Sequence, residues 1–483
     1  MSAPMQPYRP DPLYGALGPS FADIVAPAQF PQSVLRWRNQ RWADAIGLGD
    51  LSAGAFQDYF CRFAPLPDNQ TAPLAMRYHG HQFRSYNPDI GDGRGFLFAQ
   101  VRDGAGRLLD LATKGSGQTP YSRFGDGRLT LKGGVREVLA ASMLEAQGVY
   151  TSKAFALFET GEALTRNDEP SPTRSSVLTR LSHSHIRFGT FQRLAFEGDA
   201  ASMNRLIDHC AQAYYPTLLD ADPGPARALG LLRQAVAANA RLGAQWMAAG
   251  FVHGVLNTDN MVITGESFDY GPWRFLPVSD PAFTAAYFDH QGLYCFARQP
   301  EAVGWNLAQL AGALSLVCPD EAVLEAALRD FAPAYQQSLR DAAFARLALR
   351  PGDLAEDLEA LGAFFNWLTE SRAVWAQTFH DWFAGEASAA RAAISPQSAL
   401  YETAAFAAIR RGLLSRRPDR AERLANAYFQ RATPFDLVLD TVEDIWAAIA
   451  ESNDWSRFDA AMATIETKRQ ALDLNALTPT AGG

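Results

Sequence analysis

Asn260 and Asp269 are the first residues of this 483-residue chain whose type and spacing suit chemistry. They close the stretch His253-Gly-Val-Leu-Asn-Thr-Asp-Asn260 and, nine positions later, open Asp269-Tyr-Gly271. An amide oxygen and a carboxylate are hard ligands for a divalent ion, and magnesium takes a few such oxygens together with phosphate oxygens and water. A cation lies upstream. Lys114 ends an apolar run, where a charge is costly unless paired, and Glu137 follows 23 positions later. Gly-Asp-Gly-Arg occurs twice, at 91–94 and 125–128, with Gly115-Ser-Gly117 between the copies. Glycines leave backbone N–H groups uncovered for wrapping a polyphosphate, and the arginines of these segments suit paired hydrogen bonds to phosphate oxygens.

Each signal alone has a plainer reading. Asn-Thr-Asp-Asn is also a turn capped by its own side chains. A lone Lys and Glu are also snorkelling surface charges, and Asp-Gly is a common turn dipeptide. Arg180 and Arg187, seven positions apart, share a face in a helix but not in a strand. Spacing alone therefore favours solvated surface charge for them. His79 with His81, and His183 with His185, have no cysteine or carboxylate cluster to complete a zinc set and read as structural hydrogen-bonding groups. Order is what raises the first group above its plainer reading. The interval from His253 to Asn260 matches the H-R-D-x-x-x-x-N loop of protein kinases, and Asp269-Tyr-Gly stands where D-F-G follows. A strand Lys paired to a helix Glu orients nucleotide phosphates in the same frame. One position departs from it: Val255 replaces the usual catalytic Asp, and Asp259 stands directly before Asn260.

Elements must position these groups. Residues 95–102 and 107–114 read as strands joined through 103–106, where glycines tolerate the positive φ of a tight turn. A glycine-rich loop follows over 115–127. Val135, Leu139 and Met143, spaced by four, predict a helix over 134–147 that Gly148 stops. Helices are expected over 224–249, 302–318 and most of 320–472, interrupted at 250–280 by the two motifs and a short apolar run. The Pro- and Ala-rich residues 1–30 predict an arm laid over the surface. Together the pattern predicts the α+β class, in a protein-kinase-like two-lobed fold. Residues 31–190 form its strand-rich N-lobe with the nucleotide loops, and 191–483 its enlarged helical C-lobe with the catalytic loop and metal-binding segment.

Bulk composition narrows the partners. Hydrophobic residues at 48% and charged residues at 20% are ordinary for a soluble globular protein. A net charge of −9 argues against nucleic acid as a partner. Four dispersed cysteines suit a reducing compartment without disulfides. No export signal and no run of about 18 apolar residues is present, which predicts a cytoplasmic protein with no membrane partner. Without secretion the sequon Asn69-Gln-Thr71 carries no weight. No G-x-S-x-G elbow, Walker loop or Rossmann fingerprint occurs.

Seven blocks in order resemble the selenoprotein O family: HGHQF, YNPDIGDGRG, KGSGQTPYSRFGDGR, GGVREVLAAS, SHIRFGTF, HGVLNTDNM and DYGPW, the first starting at His79. The resemblance implies a kinase fold that transfers AMP from ATP to protein hydroxyls, with the nucleotide inverted so that the α-phosphate faces the acceptor. It implies an ion pair of Lys114 with Glu137. It assigns Gly91, Gly93 and Arg94 to one nucleotide loop, and Asp126 and Gly127 to a second. Arg180 and Arg187 become phosphate or nucleotide contacts, in place of solvated charge. Asp259 becomes the proton acceptor, and Asn260 and Asp269 the metal ligands, with Asp269 also touching the nucleotide's metal. Many members carry a cysteine or selenocysteine near the C terminus. Here the last cysteine is Cys318, so activity is expected and a C-terminal redox switch is not.

The expected function is Mg²⁺- or Mn²⁺-dependent adenylylation of Ser, Thr or Tyr hydroxyls on partner proteins by a monomer. Two rivals remain at this point: a phosphotransferase using the γ-phosphate, and a non-catalytic ATP-binding scaffold, to which Val255 lends support.

Overall fold

Side chains alternate along a strand, so strand parity decides which residues can reach a common site. The computed structural model describes residues 6–474. The first five residues of the expected arm and the cysteine-free tail 475–483 lie outside the described residues. Ten strands lie between residues 22 and 182: β1 (Ala22–Ile24), β2 (Val34–Arg38), β3 (Leu74–Met76), β4 (Gly80–Gln82), β5 (Ser85–Asn87), β6 (Leu97–Arg102), β7 (Leu108–Lys114), β8 (Leu129–Thr130), β9 (Lys153–Leu164) and β10 (Thr173–Ser182). Eight of them form one antiparallel sheet in the order β1-β3-β6-β7-β10-β9-β2, with β8 alongside β10. β4 and β5 form a separate hairpin.

Both faces of the central strands are covered. Leu109 and Leu111 of β7, with Val177 and Leu181 of β10, pack into an aromatic cluster containing Phe56, Phe60 and Phe155. Leu108 and Ala112, with Leu178, pack on the other face against Val135, Val138 and Leu139 of the helix Leu131–Ala146. Lys114 and Arg180 share the parity of this second set. The register aligns Leu178 with Lys114 and Arg180 with Ala112. The two cations are thus diagonal cross-strand neighbours, within reach of each other's partners, and both face the helix that carries Glu137.

That helix begins at Leu131, three residues before its predicted start. Thr130 caps it by accepting a hydrogen bond from Gly133 N–H at 3.1 Å, a standard N-cap role. Gly134, taken as the first helical residue, lies inside the helix at a close approach to the sheet. A Cβ there would lie 2.5 Å from Leu157 Cδ1 and 2.7 Å from Ser176 Oγ.

The helix Pro225–Ala249 and the helix Gln299–Leu314 match the expectations for 224–249 and 302–318. Pro225 suits the first helical turn, where its missing N–H is not needed. Gly250 ends the first of these helices in the left-handed region at φ 64° and turns the chain into Phe251–Val252 and the loop bearing His253 to Asn260.

Two expectations change. The arm predicted over 1–30 does not merely cover the surface: Tyr14 and Phe21 are buried in the main core and Ala22–Ile24 is the edge strand β1. Its prolines and alanines hid two aromatic anchors. Continuous helix over most of 320–472 fails between 382 and 438, where no α-helix exceeds six residues. Pro396, Pro418 and Pro434 remove helical donors there. The segment instead wraps aromatic side chains such as Trp382, Phe406 and Phe429 into the core. The helices Leu439–Ser452 and Ser456–Leu472 then return to brace the helix Leu131–Ala146, with Lys132 paired to Glu443 at 2.7 Å.

Candidate active site

Charge pairing decides what a buried Lys and Arg can do, because an unpaired buried charge is prohibitively costly. Lys114 Nζ lies 2.6 Å from Glu137 Oε1 and 2.5 Å from Asp269 Oδ1. Arg180 Nη2 reaches the same two oxygens, at 2.7 and 2.9 Å. Two cations and two carboxylates thus close a four-membered network across β7, β10, a helix and the Asp269 loop. Burial alone would raise the Asp269 carboxyl, but Lys114 and Arg180 outweigh it and hold the group well below the usual range. Asp269 adopts a left-handed backbone at φ 64°, uncommon for a residue with a Cβ. Both cations contact Oδ1, and Oδ2 takes no hydrogen bond among the described residues.

Arg187 is the second buried arginine. Its Nη1 donates to the Asp259 carbonyl at 2.7 Å and its Nη2 lies 3.3 Å from Asp92 Oδ1. The guanidinium also stacks over Tyr78 and Phe268, at 4.4 and 4.9 Å from the ring centroids. Arg180 and Arg187 are only 5% and 8% exposed, which corrects the solvated-charge reading that spacing alone favoured.

Asp259 lies in the short turn Thr258–Asn260. Burial pushes its carboxyl up to about 6 against the opposing pull of Arg187, and its Oδ1 is buried without a hydrogen-bond partner. Asn260 donates its amide to the Val255 carbonyl at 3.0 Å. It does not line the cleft described next. His253 ties the two motifs together, with Nε2 2.9 Å from the Phe268 carbonyl. The other histidines take structural roles as the sequence led us to expect. His79 Nδ1 lies 2.9 Å from Tyr86 OH, His81 Nδ1 2.8 Å from Gln192 Nε2, His183 Nδ1 2.6 Å from Tyr150 OH and His185 Nε2 3.4 Å from Ser182 Oγ.

A cleft of about 660 Å³ gathers these groups. Gly91, Gly93, Arg94, Lys114, Asp126, Gly127, Arg180, Arg187, Asp259 and Asp269 all line it, and Glu137 stands behind Lys114. The loops are built for close packing. A Cβ on Gly91 would meet the Tyr121 ring at 2.5 Å, and one on Gly127, at φ 70°, would meet the Gly117 carbonyl at 2.3 Å. Gly115 and Ser116 N–H groups donate to the Arg94 carbonyl, at 2.6 and 3.3 Å, joining the two loops. Asp126 is tied to Arg166 at 2.8 Å; burial would raise its carboxyl, but that pairing lowers it. Seven cationic side chains line the cleft against four carboxylates. That surplus is suited to a polyanion.

Sequence reasoning missed Asp92, Arg123 and Arg166. Asp92 was in view as the second residue of a Gly-Asp-Gly-Arg segment. Arg166 follows β9 in a polar loop with no motif around it, and only its contact with Asp126 across the chain reveals it.

Surplus positive charge and the unpartnered Asp259 Oδ1 beside it are what handling a nucleotide group demands. The class they define is a nucleotidyltransferase. The family model described as "Protein adenylyltransferase SelO" matches residues 7–466, and the chain belongs to that family. It is similar to proteins named "Protein nucleotidyltransferase YdiU". The one from Synechocystis sp. is 42% identical, over 95% of this chain and 98% of the relative. The one from Gloeobacter violaceus is 44% identical over 93% of each, and that from Trichormus variabilis 47% over 77% and 75%. The chain is accordingly an adenylyltransferase with ATP as substrate and proteins as acceptors. Among the described residues no helix is long and apolar enough to cross a membrane.

Proposed function

We propose that the chain transfers AMP from ATP to Ser, Thr or Tyr hydroxyls of other proteins with release of pyrophosphate, on a protein-kinase-like two-lobed fold. The observation that carries this reading is the cationic cleft with a buried, unpartnered carboxylate oxygen, Asp259 Oδ1, at its wall. Residues 31–190 act as the strand-rich lobe, joined by the arm 1–30, and 191–483 as the helical lobe. Four buried free cysteines suit a cytoplasmic setting.

In this reading the backbone at Gly91, Gly93 and Gly127, with Arg94 and Asp126, holds the nucleotide. Lys114, oriented by Glu137, carries phosphate charge together with Arg180 and Arg187. Asp259 accepts the proton of the acceptor hydroxyl. The hydroxyl oxygen bonds to the α-phosphorus, the bond from that phosphorus to its bridging oxygen breaks, and pyrophosphate takes the electron pair. Alignment and charge stabilisation supply most of the rate gain, with proton removal contributing about 10²–10⁴-fold.

The donors fit Mg²⁺ or Mn²⁺. Asp269 keeps Oδ2 free while Oδ1 takes both cations, and Asn260 spends its amide N–H on Val255 and retains its oxygen. Such an ion, held by these two residues, neutralises phosphate charge when bound.

The test is transfer from ATP labelled at either the α- or the γ-phosphate to candidate protein acceptors. Label arriving only from the α position supports adenylylation. Label from the γ position alone, or ATP binding without transfer, overturns it.

A further inference from the structure

Beside Asp259 the structure carries an aromatic surface that the transfer chemistry does not use. The β4–β5 hairpin lies directly on the catalytic loop: Thr258 Oγ1 accepts from His81 N–H at 2.7 Å and Asn257 Oδ1 from Phe83 N–H at 3.0 Å. A Cβ on Gly80 would stand 3.4 Å from Asp259 Cβ, and Gln82 lines the cleft together with Asp259. The next residue, Phe83, turns outward. Its ring lies 5.0 Å from Tyr294 and 5.8 Å from Phe288, which in turn lies 5.1 Å from Tyr287. Phe83, Tyr287 and Phe288 remain 36%, 79% and 43% exposed.

Two further observations separate this patch from an ordinary exposed aromatic. Phe83 and Arg84 occupy consecutive left-handed positions, at φ 48° and 65°. A two-residue hairpin turn of that kind favours Asn-Gly, and strain retained by bulky residues concentrates at functional sites. At the rim, Arg84 and Arg298 both pair with Glu301 at 2.9 Å, and Asp289 also acts on Arg298.

We propose that Phe83, Tyr287 and Phe288 form the docking surface for the acceptor polypeptide. The surface seats an apolar side chain near the acceptor hydroxyl. The proposal rests on the transfer reading above. The acceptor must approach Asp259, and this surface is continuous with that approach through Gln82 and the catalytic loop.

The experiment uses the full chain, ATP labelled at the α-phosphate and a peptide library with a fixed central Ser, Thr or Tyr. The wild type is expected to enrich Leu, Ile or Phe at a constant offset from the acceptor. Tyr287→Ala with Phe288→Ala, neither lining the cleft, should lose that enrichment. It should raise the KM for the preferred peptide about tenfold, as removal of aromatic anchors from an interface does, with the KM for ATP unchanged. The single exposed change Tyr287→Ala should shift peptide KM in the same direction without touching the core. Equal peptide KM and selectivity in wild type and variants overturns the proposal while leaving the transfer reading intact. No transfer by the wild type to any peptide or protein acceptor overturns both. A wild type that sediments as a dimer, with the variants monomeric and their peptide selectivity unchanged, assigns the patch to self-association and also overturns it.

Discussion

At the residue scale the decisive feature is a carboxylate held near its switching point. Asp259 is pushed up to about 6 by burial, with Arg187 opposing. In the proposed role of proton acceptor Asp259 must be ionised, so kcat/KM should fall on the acid side of about pH 6 and level off above it, as a pH–rate profile of the wild type would reveal. Asp259→Asn should cut turnover by about 10²–10⁴-fold while leaving the ATP Kd unchanged by calorimetry. Glu137 acts differently, because it neutralises two buried cations, Lys114 and Arg180. Glu137→Gln strands them, and removing one partner of a buried ionic group costs roughly 3–5 kcal/mol. Denaturant unfolding should register that loss, together with weaker ATP binding.

At the element scale, close backbone approaches hold the nucleotide loops in shape. Gly127 combines φ 70° with a Gly117 carbonyl 2.3 Å from where a Cβ would be. Gly127→Ala must therefore push the two loops apart. ATP KM should rise about tenfold or more, while thermal unfolding shifts little because the loop contributes small buried area. The helix Leu131–Ala146 has the opposite design. It is clamped between the sheet and the helices Leu439–Ser452 and Ser456–Leu472, where Lys132 meets Glu443 and Lys468 Nζ lies 3.5 Å from Met143 Sδ. Its sequence periodicity showed the helix, because an apolar stripe is a local signal. Its first turn, Leu131–Gly133, lay ahead of the stripe that starts at Val135, and the structure shows it through the Thr130 cap on Gly133 N–H.

At the scale of the whole molecule, a chain of net charge −9 keeps a cleft with a surplus of cations. A positively lined cleft in low-dielectric walls steers an anionic ligand even when total charge opposes it. Raising ionic strength should therefore lower kcat/KM for ATP, with a Debye length of about 8–10 Å near physiological salt setting the scale. Stopped-flow or steady-state measurements across a salt series would show the slope, and a flat response would mean that buried pairing has already consumed the field.

The sequence by itself determined the residue types and their order: a strand Lys, a helix Glu, two glycine loops, and an Asp-Asn pair followed by Asp269. It also determined the strand and helix character of most elements, because alternation and 3.6-residue periodicity are written locally. Only the tertiary structure decided that Arg180 shares both carboxylates with Lys114, that Arg187 braces Asp259, and that Arg166 reaches Asp126. It also drew Tyr14 and Phe21 of the proline-rich N-terminal segment into the core and broke the helix expected over 382–438. Those outcomes depend on cross-strand register and on burial shared between segments far apart in the chain. No short-range pattern encodes either, because the free energy that selects them is gained only when distant segments pack together.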